Sequence, residues 1–241
     1  YTPADGASKD IVTTPNKKAY ISSVSFSNKY KYMTFMAGLD TAKSAEKDYS
    51  AYVYDWNELR EVISSKDSRI PEGFTLSKNR ALSFDANCTR AYFGLAPKLP
   101  EKDTTLRDDE RGKLDIWTWN EEFLHSEQRF MAGKIKDLNY ACHIPFDGEG
   151  DLVMLEEDGI QGVTPRVTNT HDYVLVTSNK PYRLQRQWNT EDKNDLYRIR
   201  ISDGSREKLM TEVPIRLVGS SPDGRWYVWY DFAKQCFFQY D

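Results

Sequence analysis

The stretch Ser220-Ser-Pro-Asp-Gly-Arg-Trp-Tyr-Val-Trp-Tyr230 decides the predicted fold. Pro222 presets φ for a turn, Asp223 can accept a hydrogen bond from its own backbone, and Gly224 tolerates a positive φ. The residues that follow alternate between two faces with a period of two, which is the period of a β-strand. The sets are Trp226, Val228 and Tyr230 on one face and Tyr227, Trp229 and Asp231 on the other. The stretch therefore predicts a turn that leads into a half-buried strand.

Three further stretches repeat this pattern of a Ser or Thr, a polar turn and a strand rich in aromatic or β-branched residues. They cover residues 25–35, 83–93 and, in a degenerate form, 168–176. The starting residues Ser25, Ser83, Thr168 and Ser220 are separated by 58, 85 and 52 positions. The blades of known propellers repeat about every 40 to 50 residues. The longest interval therefore predicts an insertion, which we place in the charged, Pro-containing loop 98–113.

A second pair of strands follows the repeated unit. Residues 49–55 precede a strand at 59–63, and residues 195–201 precede a strand at 208–210 across the turn Ser202-Asp203-Gly204. Four short antiparallel strands make one blade of a β-propeller. We therefore predict an all-β fold, a partial β-propeller of about three to four blades of four antiparallel strands, as a single domain over 1–241.

The predicted blades lie at about 20–66, 73–157 with the insertion 98–113, 162–212, and, for an incomplete fourth blade, 215–241. Within the second blade, Leu114–Trp119 is predicted to be a strand, and helix is expected between Asn120 and Lys136. A hairpin of 138–144 with 152–155 follows, turning at 147–150. Because the count stops within the fourth blade, we expect a longer parent protein and an uncovered apolar surface near residue 241. The residues expected to supply that surface are Trp226, Val228, Tyr230, Phe237 and Phe238.

Composition excludes several classes of function. The formal net charge of −4 argues against a nucleic-acid partner, because phosphate contacts need clustered Lys and Arg. No apolar run approaches the roughly 20 residues that span a bilayer. Cys88, Cys142 and Cys236 are too widely spaced for a disulfide framework or zinc pattern, so we interpret them as buried apolar residues. No cofactor is predicted.

Three stretches carry a resemblance to a known family. The Ser-Pro-Asp-Gly turn resembles blades of prolyl oligopeptidases, dipeptidyl peptidases and Tol-type propellers. Leu114-Asp-Ile-Trp-Thr-Trp-Asn120, with Gln128 downstream, is similar to a segment of large exported prolyl-oligopeptidase-family proteins of Bacteroides-type bacteria. The stretch Ser178-Asn-Lys-Pro-Tyr-Arg183, with Trp188 and 195–197, resembles the same proteins. The resemblance covers roughly residues 80 to 241.

The resemblance implies a propeller that precedes a C-terminal α/β-hydrolase domain, shields the catalytic cavity and admits short or unfolded peptides. It also implies export, to the periplasm of a bacterium. The sequence itself holds no Gly-x-Ser-x-Gly nucleophile elbow, so no catalytic residue is predicted. The histidines His125, His143 and His171 lack the close spacing of metal ligands, so no metal site is predicted from them. The run Asp147-Gly-Glu-Gly-Asp151 is interpreted as a hairpin turn, with a calcium loop as the alternative.

Six residues are candidates for contact with a peptide substrate: Trp117, Trp119, Glu121, Glu122, Glu156 and Glu157. The tryptophans, if on one side of a strand, could line a peptide-binding surface, and packing between blades is the alternative. The paired glutamates are candidates because dipeptidyl-peptidase propellers bind substrate amino termini with a paired Glu motif. Neither pair matches the surroundings of that motif, and solvated blade edges are the alternative.

Three functions follow from these observations. The first is a non-catalytic, substrate-gating propeller of a serine peptidase, with a peptide substrate and the hydrolase domain as partners in the full-length enzyme. The second is a stand-alone periplasmic propeller that acts as a protein- or ligand-binding scaffold. The third is a propeller that is an enzyme in its own right, which would need charged residues converging on a central channel. Self-association of the isolated chain is also expected, because large apolar patches tend to be covered.

Overall fold

The structure is a computed structural model. It describes residues 10–11, 20–27, 30–38, 48–85, 87–99, 107, 112, 114, 116–135, 137–163, 171–189 and 191–241. The predicted loop 98–113 lies mostly outside the described residues. Residues 168–170, which begin the degenerate repeat 168–176, and Asn28 in the first repeat also lie outside them.

The first sheet contains four strands in chain order, each antiparallel to the next. They are β1 (Tyr20–Phe26), β2 (Met33–Gly38), β3 (Ser50–Tyr54) and β4 (Leu59–Ser64). Strands β2 and β3 are nearly continuous apolar runs because both of their faces are buried.

The second sheet is an antiparallel meander with an additional edge strand and a long helical connection. Its strands are β5 (Phe74–Leu76), β6 (Ser83–Phe84), β7 (Arg90–Pro97), β8 (Tyr140–Pro145) and β9 (Val153–Met154). Both β5 and β6 pair with β7. Helix α1 (His125–Ile135) lies in the connection from β7 to β8, which confirms the helix predicted between Asn120 and Lys136.

The third and fourth sheets each have three strands among the described residues, all antiparallel. The third contains β10 (Tyr173–Ser178), β11 (Asn194–Arg200) and β12 (Arg206–Val213). A 3-10 helix (Lys180–Tyr182) and the short helix α2 (Arg183–Arg186) connect β10 to β11. The fourth contains β13 (Ile215–Ser220), β14 (Tyr227–Asp231) and β15 (Cys236–Tyr240).

Consecutive sheets pack face to face in chain order. Met36 and Val53 of the first sheet share a core with Phe93 and Leu95 of the second. A second core joins the second and third sheets, with Tyr92, Ala141, Val174, Val176 and Ile199 among its members. A third joins the third and fourth sheets, with Leu175, Leu196, Tyr227 and Trp229 among its members. Small antiparallel sheets stacked in chain order are the blades of a β-propeller, so the predicted all-β, partial propeller fold is confirmed.

The turn that decided the prediction has the expected conformation. Gly224 has a φ of +77°, and Oδ1 of Asp223 accepts a hydrogen bond from the backbone N–H of Arg225. Along β14, burial alternates residue by residue, and the buried set is Tyr227, Trp229 and Asp231. The local turn chemistry and the period of two were therefore both predicted correctly.

Two sequence predictions are wrong. Leu114, Ile116, Trp117 and Thr118 form no strand, and Trp119 lies in a turn, because no neighbouring strand pairs with this segment in the described structure. The prediction that all three cysteines are buried holds for Cys142, whereas Cys88 is partly exposed and Cys236 is exposed.

The run 147–151 forms the turn from β8 to β9, as predicted. Its carbonyl oxygens accept hydrogen bonds from arginines of the first sheet and of the loop that follows it. Arg60 binds the carbonyls of Phe146 and Asp147, and Arg69 binds those of Gly148 and Gly150. These hydrogen bonds therefore join the first two sheets.

Candidate functional site

Two long connections between strands meet at the surface. One follows β7 and carries α1, and the other follows β10 and carries α2. The Gln187 side-chain amide donates a hydrogen bond to the Glu121 carbonyl at 2.6 Å. The Arg183 guanidinium forms an ion pair with Glu122 at 2.9 Å. The connection from the second sheet is therefore attached to the third.

Arg183 is the residue that joins the segments at this surface. Its guanidinium lies over the ring of Phe123 at 5.1 Å, and Nε donates to Oδ1 of Asn179 at 3.2 Å. Asp158 approaches it at 3.7 Å and forms a closer ion pair with Lys180 at 2.7 Å. The hydrogen bond from Lys180 lowers the pKa of Asp158 and, reciprocally, raises the pKa of Lys180.

Two clefts flank this charge network. A cleft of about 410 Å³ lies on the Lys180 side, and its lining includes Glu157, Asp158, Ile160, Lys180 and Tyr197. A smaller cleft of about 120 Å³ lies on the Arg183 side, and its lining includes Glu122, Phe123, Leu124, Arg183 and Gln187. Charged side chains and apolar side chains therefore border the same openings.

Three tryptophans belong to the two connections, and all are exposed: Trp117 at 68%, Trp119 at 87% and Trp188 at 69%. Trp117 stacks on the imidazole of His125 at 4.2 Å, which fixes it against the start of α1. The alternative that Trp117 and Trp119 pack between blades is wrong, because both rings lie at the surface. We call Trp117, Trp119 and Trp188, with Glu122 and Arg183, the tryptophan surface.

Glu121 holds the segment before α1 in place. One carboxylate oxygen accepts a hydrogen bond from the backbone N–H of Thr118 at 3.1 Å, and the other accepts one from the side-chain amide of Gln128 at 2.5 Å. The Gln128 hydrogen bond, followed by that of Thr118, lowers the pKa of Glu121. Glu121 therefore positions the tryptophan surface, while the carboxylate of Glu122 belongs to it.

The second glutamate pair is divided between the interior and the surface. Glu156 has no exposed area, so the expectation of a solvated edge is wrong for this residue. Oε2 accepts hydrogen bonds from the backbone N–H of Ala141 at 2.6 Å and from Arg80 at 3.0 Å. Oε1 accepts one from the backbone N–H of Val163 at 2.7 Å. Glu157 is exposed, 3.6 Å from Arg206.

The six candidate residues thus fall into four groups. Trp117, Trp119 and Glu122 lie on the tryptophan surface, Glu121 supports it, and Glu157 borders the neighbouring cleft. Glu156 holds the fold together. The sequence analysis did not select Arg183, Lys180, Asp158 or Trp188 as site residues. Arg183, Lys180 and Trp188 did lie in the stretches that carry the family resemblance, which was an available signal.

Among the described residues, no group of three or more His, Cys, Asp or Glu side chains could hold a metal ion. No described helix has the length and apolar character that crossing a membrane requires.

Comparison with known proteins gives structural similarity alone. No family model matches the chain, and no curated protein matches it. The chain is similar to an acylaminoacyl peptidase of Pyrococcus horikoshii, with 16% identity, a TM-score of 0.42, and coverage of 87% of this chain and 28% of that one. It is similar to a prolyl endopeptidase, with 12% identity, a TM-score of 0.43, and coverage of 98% and 30%.

A third similar structure is TolB from Acinetobacter baumannii, with 12% identity, a TM-score of 0.38, and coverage of 91% of this chain and 43% of that one. The chain therefore spans less than half the length of each of these three proteins.

Proposed function

We propose that this chain is the non-catalytic, substrate-gating propeller of a prolyl-oligopeptidase-like serine peptidase whose α/β-hydrolase domain lies C-terminal to it. The observation that carries the proposal is the tryptophan surface, where two connections that are joined by the Arg183–Glu122 ion pair each carry exposed rings. Rings accept apolar or proline side chains, a guanidinium binds carbonyl or carboxylate oxygens, and a carboxylate binds N–H groups. An extended peptide presents all of these partners along its length.

The absence of an elbow serine from the sequence supports the non-catalytic part of the proposal. The alternative function, a stand-alone periplasmic scaffold, would use the same surface to bind a protein or ligand. For both functions we propose an exported protein, and both predict peptide binding by the isolated chain. They differ in whether the parent protein carries a reactive serine.

Peptide binding is tested by fluorescence anisotropy with fluorescein-labelled hexapeptides that contain proline and apolar residues. Each stacked ring contributes about 0.5–1.5 kcal/mol, so the double variant Trp117→Ala, Trp119→Ala is expected to weaken binding roughly tenfold. Tyr30→Ala is the matched control, because it removes an exposed ring from the turn between β1 and β2. Equal affinity in the double variant and in the control would show that the tryptophan surface is not the binding site.

A serine-reactive fluorophosphonate probe separates the two functions. We expect no labelling of this chain and labelling of one serine in the full-length parent. A parent that binds peptide and remains unlabelled would support the scaffold function. Stoichiometric labelling of a serine in this chain would contradict both.

The fourth sheet supports the proposal that isolated copies self-associate. Phe237 is 66% exposed, and its ring contacts Tyr230, which in turn contacts Phe232. This aromatic group lies on the face opposite Trp229 and Phe238, which pack towards the third sheet. Phe238 therefore does not supply the exposed surface, contrary to expectation.

Sedimentation velocity over a concentration series is expected to show a species heavier than the monomer. Phe237→Ser should shift it towards the monomer, because it removes the most exposed ring of the patch. Phe130→Ser is the control, since Phe130 is exposed on α1. A monomer at every concentration would contradict self-association.

A further inference from the structure

The interface between the second and third sheets contains a cleft of about 640 Å³. Its lining includes Arg90, His143, Asp151, Ser202 and Asp203. The proposed function makes no use of this cleft or of the histidine beside it.

His143 lies on β8 and faces the third sheet, whereas its neighbour Cys142 packs between the first and second sheets. Only 3% of its area is exposed. Nε2 lies 2.5 Å from the carbonyl oxygen of Ile201, which follows β11 in the third sheet. A carbonyl can only accept, so Nε2 carries the hydrogen and the neutral ring has a bare Nδ1. Nδ1 is buried and has no hydrogen-bond partner in the described structure.

Protonation would change this arrangement in two unfavourable ways. It would place a hydrogen on the buried Nδ1, where no described acceptor receives it, and it would bury a positive charge. We propose that His143 is an acid-sensitive latch, which joins the second and third sheets while neutral and releases them, opening the cleft, when it is protonated.

The surroundings of His143 shift the pKa of its imidazole in opposite directions. Burial of the imidazole lowers its pKa most, and Arg90 of β7 lowers it further, whereas the Ile201 carbonyl, Asp172 and Asp85 raise it. Asp172 precedes β10 and already binds Arg90 at 3.4 Å and the Ser202 hydroxyl. The net result is a lowered pKa. Tyr92 of β7 contributes an uncharged ring edge at 5.5 Å.

The sign of the pH dependence follows from linkage. The unfolded or opened imidazole has a pKa of about 6.5, and the latched one is lower, so the open state binds more protons between the two values. The stabilisation is complete above the open-state pKa and falls as the pH is lowered through it. Between pH 7.5 and pH 5, the opening equilibrium at this interface should increase, by up to about thirtyfold if the latched ring stays neutral.

Hydrogen–deuterium exchange at pH 7.5 and pH 5, corrected for intrinsic rates, measures this opening in peptides that cover β8 and residues 171–178. We expect the corrected protection to fall at pH 5 in the wild type and to be independent of pH in His143→Gln, which keeps a neutral N–H donor. His125→Gln and His171→Gln are controls that should retain the wild-type pH dependence. Equal protection at both pH values in the wild type, or an acid loss that persists in His143→Gln, would overturn the latch.

An NMR titration of the wild-type His143 ring keeps the proposal testable if His143→Gln does not fold. The Nδ1 chemical shift should be that of an unprotonated nitrogen at pH 7.5, and the midpoint of the titration should lie below the ordinary value of about 6.5. A protonated Nδ1 at pH 7.5, or a midpoint at or above the ordinary value, would contradict the latch.

Discussion

Replacing Glu156 by Gln is expected to lower the free energy of unfolding by about 3–5 kcal/mol, because it neutralises a fully buried carboxylate whose ion-pair partner, Arg80, is partly exposed. The carboxylate accepts hydrogen bonds from Ala141, Val163 and Arg80 through both of its oxygens. A Gln side chain replaces one oxygen with an NH₂ group, which cannot accept, so at least one buried donor loses its partner. For a chain of this length, thermal denaturation should show a melting temperature lower by about 6–20 °C.

Glu157→Gln is the matched control, because Glu157 is the next residue, is exposed, and meets Arg206 at 3.6 Å. Its effect should stay within about 0.5 kcal/mol. A double-mutant cycle with Arg80→Met would separate the ion pair from the two backbone hydrogen bonds. If Glu156→Gln melts like the wild type, the buried carboxylate does not stabilise the fold.

The conformation of the turns is the part of this fold that can be predicted most directly from the sequence. The conformation of 221–226 depends on Pro222, Asp223 and Gly224 themselves, and the alternation along β14 depends on consecutive residues. Both are local properties, so the strand pattern and the propeller fold could be predicted. The helix α1 likewise lies within the segment 120–136, where a helix was expected.

Strand formation at 114–119 could not be judged from local pattern alone. Aromatic and β-branched residues are frequent there as they are in β14, yet a strand also needs a neighbour to satisfy its backbone groups. β14 has β13 and β15 on its two sides, whereas the segment of Trp117 and Trp119 has no paired strand in the described structure. Its tryptophans consequently lie at the surface rather than between blades.

The roles of Glu156 and Arg183 depend on residues distant in sequence. Glu156 adjoins another glutamate, which is typical of a solvated edge, and its burial depends on Arg80, 76 positions away. Arg183 meets Glu122 across 61 positions. For His143 the local sequence held a clue, since adjacent residues of a strand point to opposite faces. That clue separates it from Cys142 but does not reveal the Ile201 carbonyl.

Gly204→Ala is the second substitution with a large expected effect, because it acts on the contact between the second and third sheets. Gly204 has a φ of +70°, and a Cβ there would lie 2.8 Å from the carbonyl oxygen of Met154 and 3.0 Å from Cγ1 of Val153. The left-handed conformation costs an Ala about 1–2 kcal/mol, and the clash with the backbone of β9 adds to it. We expect a total loss of about 2–4 kcal/mol of unfolding free energy, measured by urea denaturation.

Gly73→Ala isolates the conformational part of this loss. Gly73 has a φ of +82°, but a Cβ added there meets no atom within 4 Å. It should therefore cost about 1–2 kcal/mol, the conformational penalty alone. The excess in Gly204→Ala then measures how tightly the turn at 201–205 packs on β9, beside the His143 cleft. Equal losses in the two variants would mean that the third sheet can move away from β9 at no cost, and the close contact between these sheets would be refuted.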